Sequence, residues 1–372
     1  MLDETITKVE APAIAGTEQG DITIAFRDAT AADLRFSDYQ PGTGWNWYPV
    51  DTVGNVGLDP RLAIDSAGNR WVVERKSDNT LQLLVRSAAG VNQTRPIAEA
   101  GTANIRRIGF AFDDADRQYL LFVDGFMYLG ERTPSATEVL APPFDVRPAY
   151  GDSNPAWPEL FYDRTSQTMF GTFVANGRPA IGFLDERLGF VNILTMERNN
   201  DACHDIGLGT LSHEDCTADK PVALAIDSAG GFDLCTHIMH YDGDYRVVFL
   251  FDGGPNFTGG VIYGNSQPDS YSPGARCSIV VDRDDVAHLF FAQTQSGRNF
   301  IHSRVTRSGA TFQHAERTVV AGDTGHWPAT YVDANGGLHL AYVKVTNSTP
   351  RSNYYDSITS SSLVYATLVW DD

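Results

Sequence analysis

The feature that most restricts what this chain can fold into is a repeat. A short apolar strand runs into an acidic turn and a second strand follows, as in LAIDSAGNRWVVE at 62–74, FAFDDADRQYLLFV at 110–123 and LFYDRTSQTMFGTFV at 160–174. The unit returns as LAIDSAGGFDLCTHI at 224–238, IVVDRDDVAHLFFA at 279–292 and TYVDANGGLHLAYV at 330–343. A degenerate copy, AIAGTEQGDITIAF at 13–26, has Gly16 where the others carry the turn aspartate. The turn positions Gly16, Asp65, Asp113, Asp163, Asp227, Asp282 and Asp333 lie 49, 48, 50, 64, 55 and 51 residues apart. That spacing suits one propeller blade per copy, because a lone hairpin cannot bury its apolar faces and must pack on its neighbours.

Each hairpin is followed by a third strand, such as LQLLVRSA at 81–88, YRVVFLFDG at 245–253 or FIHSRVTRSG at 300–309. A fourth usually comes next, as in WNWYPVDT at 45–52, VNILTMER at 191–198 and HAERTVVAG at 314–322. The pattern predicts an all-β, seven-bladed β-propeller with four antiparallel strands per blade and almost no helix. The whole chain, 1–372, reads as one domain with blades beginning near 12, 60, 107, 157, 221, 276 and 327. The last copy supplies only three strands, ending in SSLVYATLVW at 361–370, so ITKVEA at 6–11 is expected to pair there as a closing strand. The insertion NNDACHDIGLGTLSHEDC at 199–216 accounts for the longest spacing.

A formal net charge of −19 disfavours long-range attraction to nucleic acid or to an anionic membrane surface. There is no long apolar run to insert into a membrane, and the start MLDETITKVE lacks the basic and apolar regions of a signal peptide. Of the four cysteines, Cys203 and Cys216 bracket the insertion and are expected to form a disulfide, which implies an extracellular or periplasmic setting. Cys235 and Cys277 fall inside apolar strand patterns and are expected to be buried, inert free thiols. Motifs for phosphate loops, dinucleotide binding, zinc peptidases and the nucleophile elbow are missing, so no cofactor is expected. The acidic insertion leaves a structural cation such as calcium conceivable, without any recognised ligand spacing.

An apolar triplet, then D-x-x-G, then a strand opening with histidine or an aromatic: this pattern resembles the sialidase-like propellers with BNR-type repeats, and the resemblance covers nearly the whole chain. It implies the fold rather than the chemistry, because sialidases, polysaccharide lyases and propeller lectins share it. The S-x-D-x-G-x-T-W hallmark is absent, and the nearest string, DSAGNRW at 65–71, lies on the first hairpin of a blade.

In a propeller the loops entering the innermost strands open together around the central channel, where ligands bind. The residues preceding the apolar triplets include Asp59, Arg61, Arg106, Arg107, Asn154, Trp157, Glu159, Lys220, Arg276, His326 and Trp327. Arg61, Arg107, Arg276 and Lys220 are candidates for binding a carboxylate or sulfate, since guanidinium groups make paired bonds to planar anions. Trp157 and Trp327 are candidates for stacking on sugar rings. His326 is the candidate general acid or base, with Glu159 or Tyr354 as its partner. No metal ligands are assigned.

The expected partner is a glycan or other small anion; oligomeric state is open. The leading expectation is a carbohydrate-active protein with one central site, a lyase or hydrolase of an acidic polysaccharide. A lectin without catalysis and a protein-interaction propeller are the alternatives.

Overall fold

The structure is a computed structural model that describes residues 6–17, 19–97, 108–123, 127–132, 144–145, 156–175, 178–185, 189–195, 216–218, 222–240, 245–252, 257–264, 276–292, 299–309, 311–320, 326–333, 335–348 and 358–368. All regular structure among them is β. The first sheet contains β1 (Val9–Gly16), β2 (Ile22–Asp28), β3 (Asp33–Gln40) and β4 (Gly44–Asp51) in that order. The second contains β5 (Leu58–Ile64), β6 (Arg70–Arg75), β7 (Leu81–Arg86) and β8 (Asn92–Pro96).

The third holds β9 (Ile108–Phe112), β10 (Gln118–Val123), β11 (Met127–Arg132) and β12 (Phe144–Asp145), and the fourth β13 (Ala156–Asp163), β14 (Thr168–Ala175), β15 (Arg178–Asp185) and β16 (Gly189–Thr195). The fifth has five strands, because β17 (Cys216–Ala218) and β18 (Ala223–Ile226) both line β19 (Phe232–His240), followed by β20 (Tyr245–Asp252) and β21 (Phe257–Gly264). The sixth holds β22 (Cys277–Val281), β23 (Ala287–Ala292), β24 (Phe300–Ser308) and β25 (Thr311–Val320). The seventh holds β26 (His326–Val332), β27 (Leu338–Ser348) and β28 (Ile358–Leu368). Every paired neighbour is antiparallel, and the first strands of successive sheets pack side by side in cyclic order, β26 returning to β1. This is a β-propeller, its core divided into apolar layers between sheets, such as Trp71, Val73, Leu83, Ile108, Phe110 and Leu120 between the second and third.

The repeated aspartate is a turn cap. In Asp65, Asp113, Asp227, Asp282 and Asp333, Oδ1 accepts the backbone N–H groups two and four residues on, at 2.6–3.0 Å. Oδ2 then pins the side chain six residues on: Trp71 Nε1 at 2.7 Å, the Tyr119 hydroxyl at 3.3 Å, and His288 and His339 Nε2 at 3.0 Å each. Those histidines are therefore ring donors to their own turns, and His288 Nδ1 also lies 2.9 Å from His302 Nε2. In the fifth sheet the sixth residue is Asp233, which cannot play that part, and Arg307 reaches over from the sixth sheet to both Asp227 and Asp233 instead. Gly16 lacks the cap because the Tyr331 ring takes its side-chain space: a Cβ there would lie 2.4 Å from Tyr331 Cε1.

Two expectations are corrected. Residues 6–11 do not add a fourth strand to the seventh sheet; Val9 and Glu10 pair with Asp28 and Arg27 as the start of β1, beyond a bulge. Among the described residues this segment hydrogen-bonds the seventh sheet at Ser361, whose N–H donates to Thr7 O (2.9 Å) and whose Oγ bonds Val9 N (2.9 Å) and Val9 O (2.8 Å), and Ile6 and Val9 share an apolar layer with Ala341, Val343 and Leu363. The second correction concerns Cys235 and Cys277, which form a disulfide with Cα atoms 5.9 Å apart. They face one another in the apolar layer between the fifth and sixth sheets. The expected Cys203–Cys216 pair and the insertion that it brackets lie outside the described residues, apart from Cys216–Ala218.

Candidate functional site

Four first strands enter their sheets through a bulge. Register slips between Glu10 and Ala13, Leu58 and Arg61, Ala156 and Glu159, and His326 and Ala329. In each, a proline sits within the slip, at Pro12, Pro60, Pro158 and Pro328. Proline has no N–H to give the ladder and bars its predecessor from the right-handed helical region. Ala11, Asp59 and Trp327 take the left-handed conformation, with φ of 47°, 54° and 49°. A left-handed residue at a bulge is normally glycine, so these positions are over-determined by the surrounding packing. The bulge re-aims the residues that follow it, which brings Arg61 and Glu159 onto the channel wall.

Arg61 and Glu159 come from sheets that are not ring neighbours, yet they form a two-point ion pair: Nε to Oε2 at 3.0 Å and Nη2 to Oε1 at 2.7 Å. Arg61 Nη1 also donates to Asp59 Oδ1 at 2.8 Å. Arg276, just ahead of β22, donates through Nη2 to that same oxygen. Two cations and two carboxylates from the second, fourth and sixth sheets thus meet at one end of the channel. Their side chains keep only 6% (Asp59), 11% (Arg61), 13% (Arg276) and 19% (Glu159) exposure, so the pairs are shielded from solvent. Burial opposes charge on Arg61, but the two carboxylates outweigh it and raise the guanidinium's affinity for its proton above the ordinary value. Arg276 Nε is buried and has no hydrogen-bond partner among the described residues.

Behind this cluster lies a cavity of about 510 Å³ bounded by first strands of all seven sheets, including Ile14, Leu62, Phe110, Leu160, Ala225, Val280 and Tyr331. The opposite end of the axis opens into about 810 Å³ among the turns, beside Asp65, Asp113, Asp116, Tyr162 and Arg164. The carboxylates there are occupied by turn caps or by neighbouring turns; Asp116, for example, accepts from Ser66 N at 2.9 Å and Ser66 Oγ at 2.5 Å.

Of the residues singled out from the sequence, Arg61, Arg276 and Glu159 are brought together, and Asp59 joins them as the carboxylate both arginines share. His326 and Trp327 open β26 but do not border the cavity: His326 is buried, and Trp327 packs with Val9, Ile24, Phe26 and Val343 between the seventh and first sheets. Arg107, Lys220 and Tyr354, like Arg106, Asn154 and the side chain of Trp157, lie outside the described residues. Among those described, no group of three or more His, Cys, Asp or Glu is placed to hold a metal ion. Among the described residues, no helix is long and apolar enough to cross a membrane.

Sequence reasoning missed Glu74, buried directly across the Asp59–Pro60 bulge. The signal for it was present, because a glutamate ends an otherwise apolar WVVE strand.

No family model matches the chain, and no curated protein matches it. Solved structures do. The NanB sialidase from Streptococcus pneumoniae, in complex with 2-[(3-chlorobenzyl)ammonio]ethanesulfonate, is 10% identical with a TM-score of 0.53, covering 99% of this chain and 69% of that one. The leech intramolecular trans-sialidase, complexed with 2,7-anhydro-Neu5Ac, is 12% identical with a TM-score of 0.52 and the same coverage. At such identity the likeness concerns the fold, and the fold is that of a sialidase-like β-propeller.

Proposed function

We propose that the protein binds an acidic carbohydrate at one central site, at the channel end where Arg61 and Arg276 converge. The single observation that carries this reading is Arg276: a guanidinium largely shielded from solvent, with one edge on Asp59 and its Nε unpartnered among the described residues, beside a cavity large enough for a sugar ring. A carboxylate or sulfate entering there supplies the missing acceptor. Of the two sialidases of this fold, the leech enzyme is complexed with an acidic sugar, 2,7-anhydro-Neu5Ac, and NanB with an ammonio-sulfonate. We read each of the seven sheets as one blade, supported by the cyclic packing of their first strands. The buried Cys235–Cys277 disulfide favours an exported protein, since such bonds persist in oxidising compartments.

Binding is better supported than turnover. Both Glu159 oxygens are held by Arg61, and His326 is buried away from the cavity, so neither can transfer a proton to a bound sugar until its present packing opens. The deciding experiment is calorimetric titration with sialylated, uronate-containing and sulfated oligosaccharides, alongside assays for new reducing ends and unsaturated uronates. One-site binding that Arg276→Gln abolishes is expected; no heat with any of the three classes overturns the proposal. New reducing ends or unsaturated uronates would turn the binding site into a lyase or hydrolase site.

A further inference from the structure

In three of the four bulged entries, the residue of the second strand that faces the bulge is a large aromatic: Phe26 in the first sheet, Phe173 in the fourth and Tyr342 in the seventh. All three are buried. In the second sheet this position is Glu74, which has no exposed surface. Burying a carboxyl is unfavourable unless it is paired or neutral, and the repeat elsewhere fills the place with a ring.

Glu74 serves the segment that leads into the arginine cluster. Its Oε2 accepts the N–H of Gly57. Gly57 has a φ of +74°, and a Cβ on it would stand 3.2 Å from Leu34 Cα and 3.3 Å from Asp33 O, so it is wedged against the first sheet. Two residues later comes Asp59, the left-handed residue whose carboxylate holds both arginines. The other oxygen, Oε1, is buried and accepts no hydrogen bond among the described residues.

The charged groups that act on Glu74 are Asp51, at the end of β4, and Lys76. Lys76 Nζ lies 3.5 Å from Asp51 Oδ2, and Gln82 Nε2 donates to that oxygen at 3.0 Å. With its proton, Glu74 can donate to Asp51 while still accepting from Gly57. Without it, two carboxylates face one another beneath the connector.

We propose that Glu74 is a positioning residue for the arginine cluster: as a neutral acid it holds Gly57 and the Asp59 bulge in place, and its ionisation loosens them. The consequence for ligand rests on the reading of the centre as an anion site; the loosening itself does not. Burial pushes the Glu74 carboxyl up to about 8, with Asp51 adding to the rise and the Gly57 N–H and Lys76 opposing it. The site is therefore held at neutral pH and released in mild alkali.

The test is amide hydrogen exchange in peptides covering 52–61, corrected for the intrinsic rate, from about pH 6 to about pH 9 in the full chain and in Glu74→Gln. The wild type is expected to lose protection by about tenfold or more over that range while Glu74→Gln stays level. Glu74→Phe, the residue type of the other blades, is expected to remove the pH dependence as well. Equal profiles in wild type and Glu74→Gln overturn the proposal.

Should Glu74→Gln fail to fold, infrared difference spectra of Asp233→Asn over the same range decide it, because that variant lacks the other buried carboxyl that titrates there: loss of a buried protonated-carboxyl band supports the proposal and its absence overturns it. If acidic oligosaccharides bind at no pH while the exchange contrast persists, the anion-site reading fails and the role of Glu74 does not.

Discussion

Arg276 and Asp59 stand 217 residues apart in sequence and share a hydrogen bond at the channel end, tying the sixth sheet to the second. Asp59 also holds Arg61, so one carboxylate sits between two guanidiniums. Asp59→Asn keeps the shape but leaves the two cations opposed by Glu159 alone. We expect a loss of about 3 kcal/mol in denaturant unfolding, the cost usual for breaking a buried pair from one side. Combined with Arg276→Met the loss should be smaller than the sum of the two single changes, since the second removes one of the uncompensated charges. Strict additivity would mean that the contact carries no energy.

Asp233 is buried where other sheets place a ring donor, and burial pushes its carboxyl up to about 7, with Arg307 opposing the rise. Its affinity for the proton is thus higher in the folded chain than in the unfolded one, whose value is 3.8. The stabilisation is complete below that value and is lost as pH rises through about 7. Asp233→Asn is expected to flatten this part of the profile of unfolding free energy against pH. A mutant profile as steep as that of the wild type would show that Asp233 does not titrate there.

The Cys235–Cys277 disulfide closes a loop with a sequence separation of 42. Chain-entropy reasoning gives it about 4 kcal/mol of stabilisation relative to the reduced chain. Cys235→Ala with Cys277→Ala should lower the unfolding free energy by that order and the midpoint with it, and a reductant should have little further effect on the cysteine-free pair. Identical midpoints would mean that the bond is absent in solution.

Trp71 Nε1 donates to Asp65 Oδ2 at 2.7 Å, the second half of the turn cap. Trp71→His offers a donor at the position where His288 and His339 work in their own sheets, whereas Trp71→Leu offers none. The leucine variant should be the less stable by about 1 kcal/mol, the net worth of one hydrogen bond, since Asp65 Oδ2 keeps Asn69 Nδ2 at 2.8 Å. Equal stabilities in thermal unfolding would remove the hydrogen bond from the account of the repeat.

Much of the fold is legible in the chain because its signals are local and recur. Four turn aspartates, Asp65, Asp113, Asp282 and Asp333, are followed six residues later by a side chain they bond, so Asp65 with Trp71 and Asp333 with His339 are one short-range device written at a regular spacing. The end of the channel at which Arg61, Glu159 and Arg276 gather is legible for the same reason, since all three precede their strands' apolar triplets. What they do to one another is not. Whether two arginines stand open or are neutralised by Asp59 and Glu159 depends on distances across the ring.

The sequence by itself determined the β-rich repeat, its turns and the residues that enter each sheet, because hydrogen-bonding range and alternating burial act within a few positions of the chain. Tertiary structure alone decided which cysteine meets which, how the N-terminal segment joins the ring at Ser361, and that a buried glutamate faces the Asp59 bulge. Those outcomes turn on how separate sheets approach one another, and such an approach is set by the packing of whole faces rather than by any local pattern.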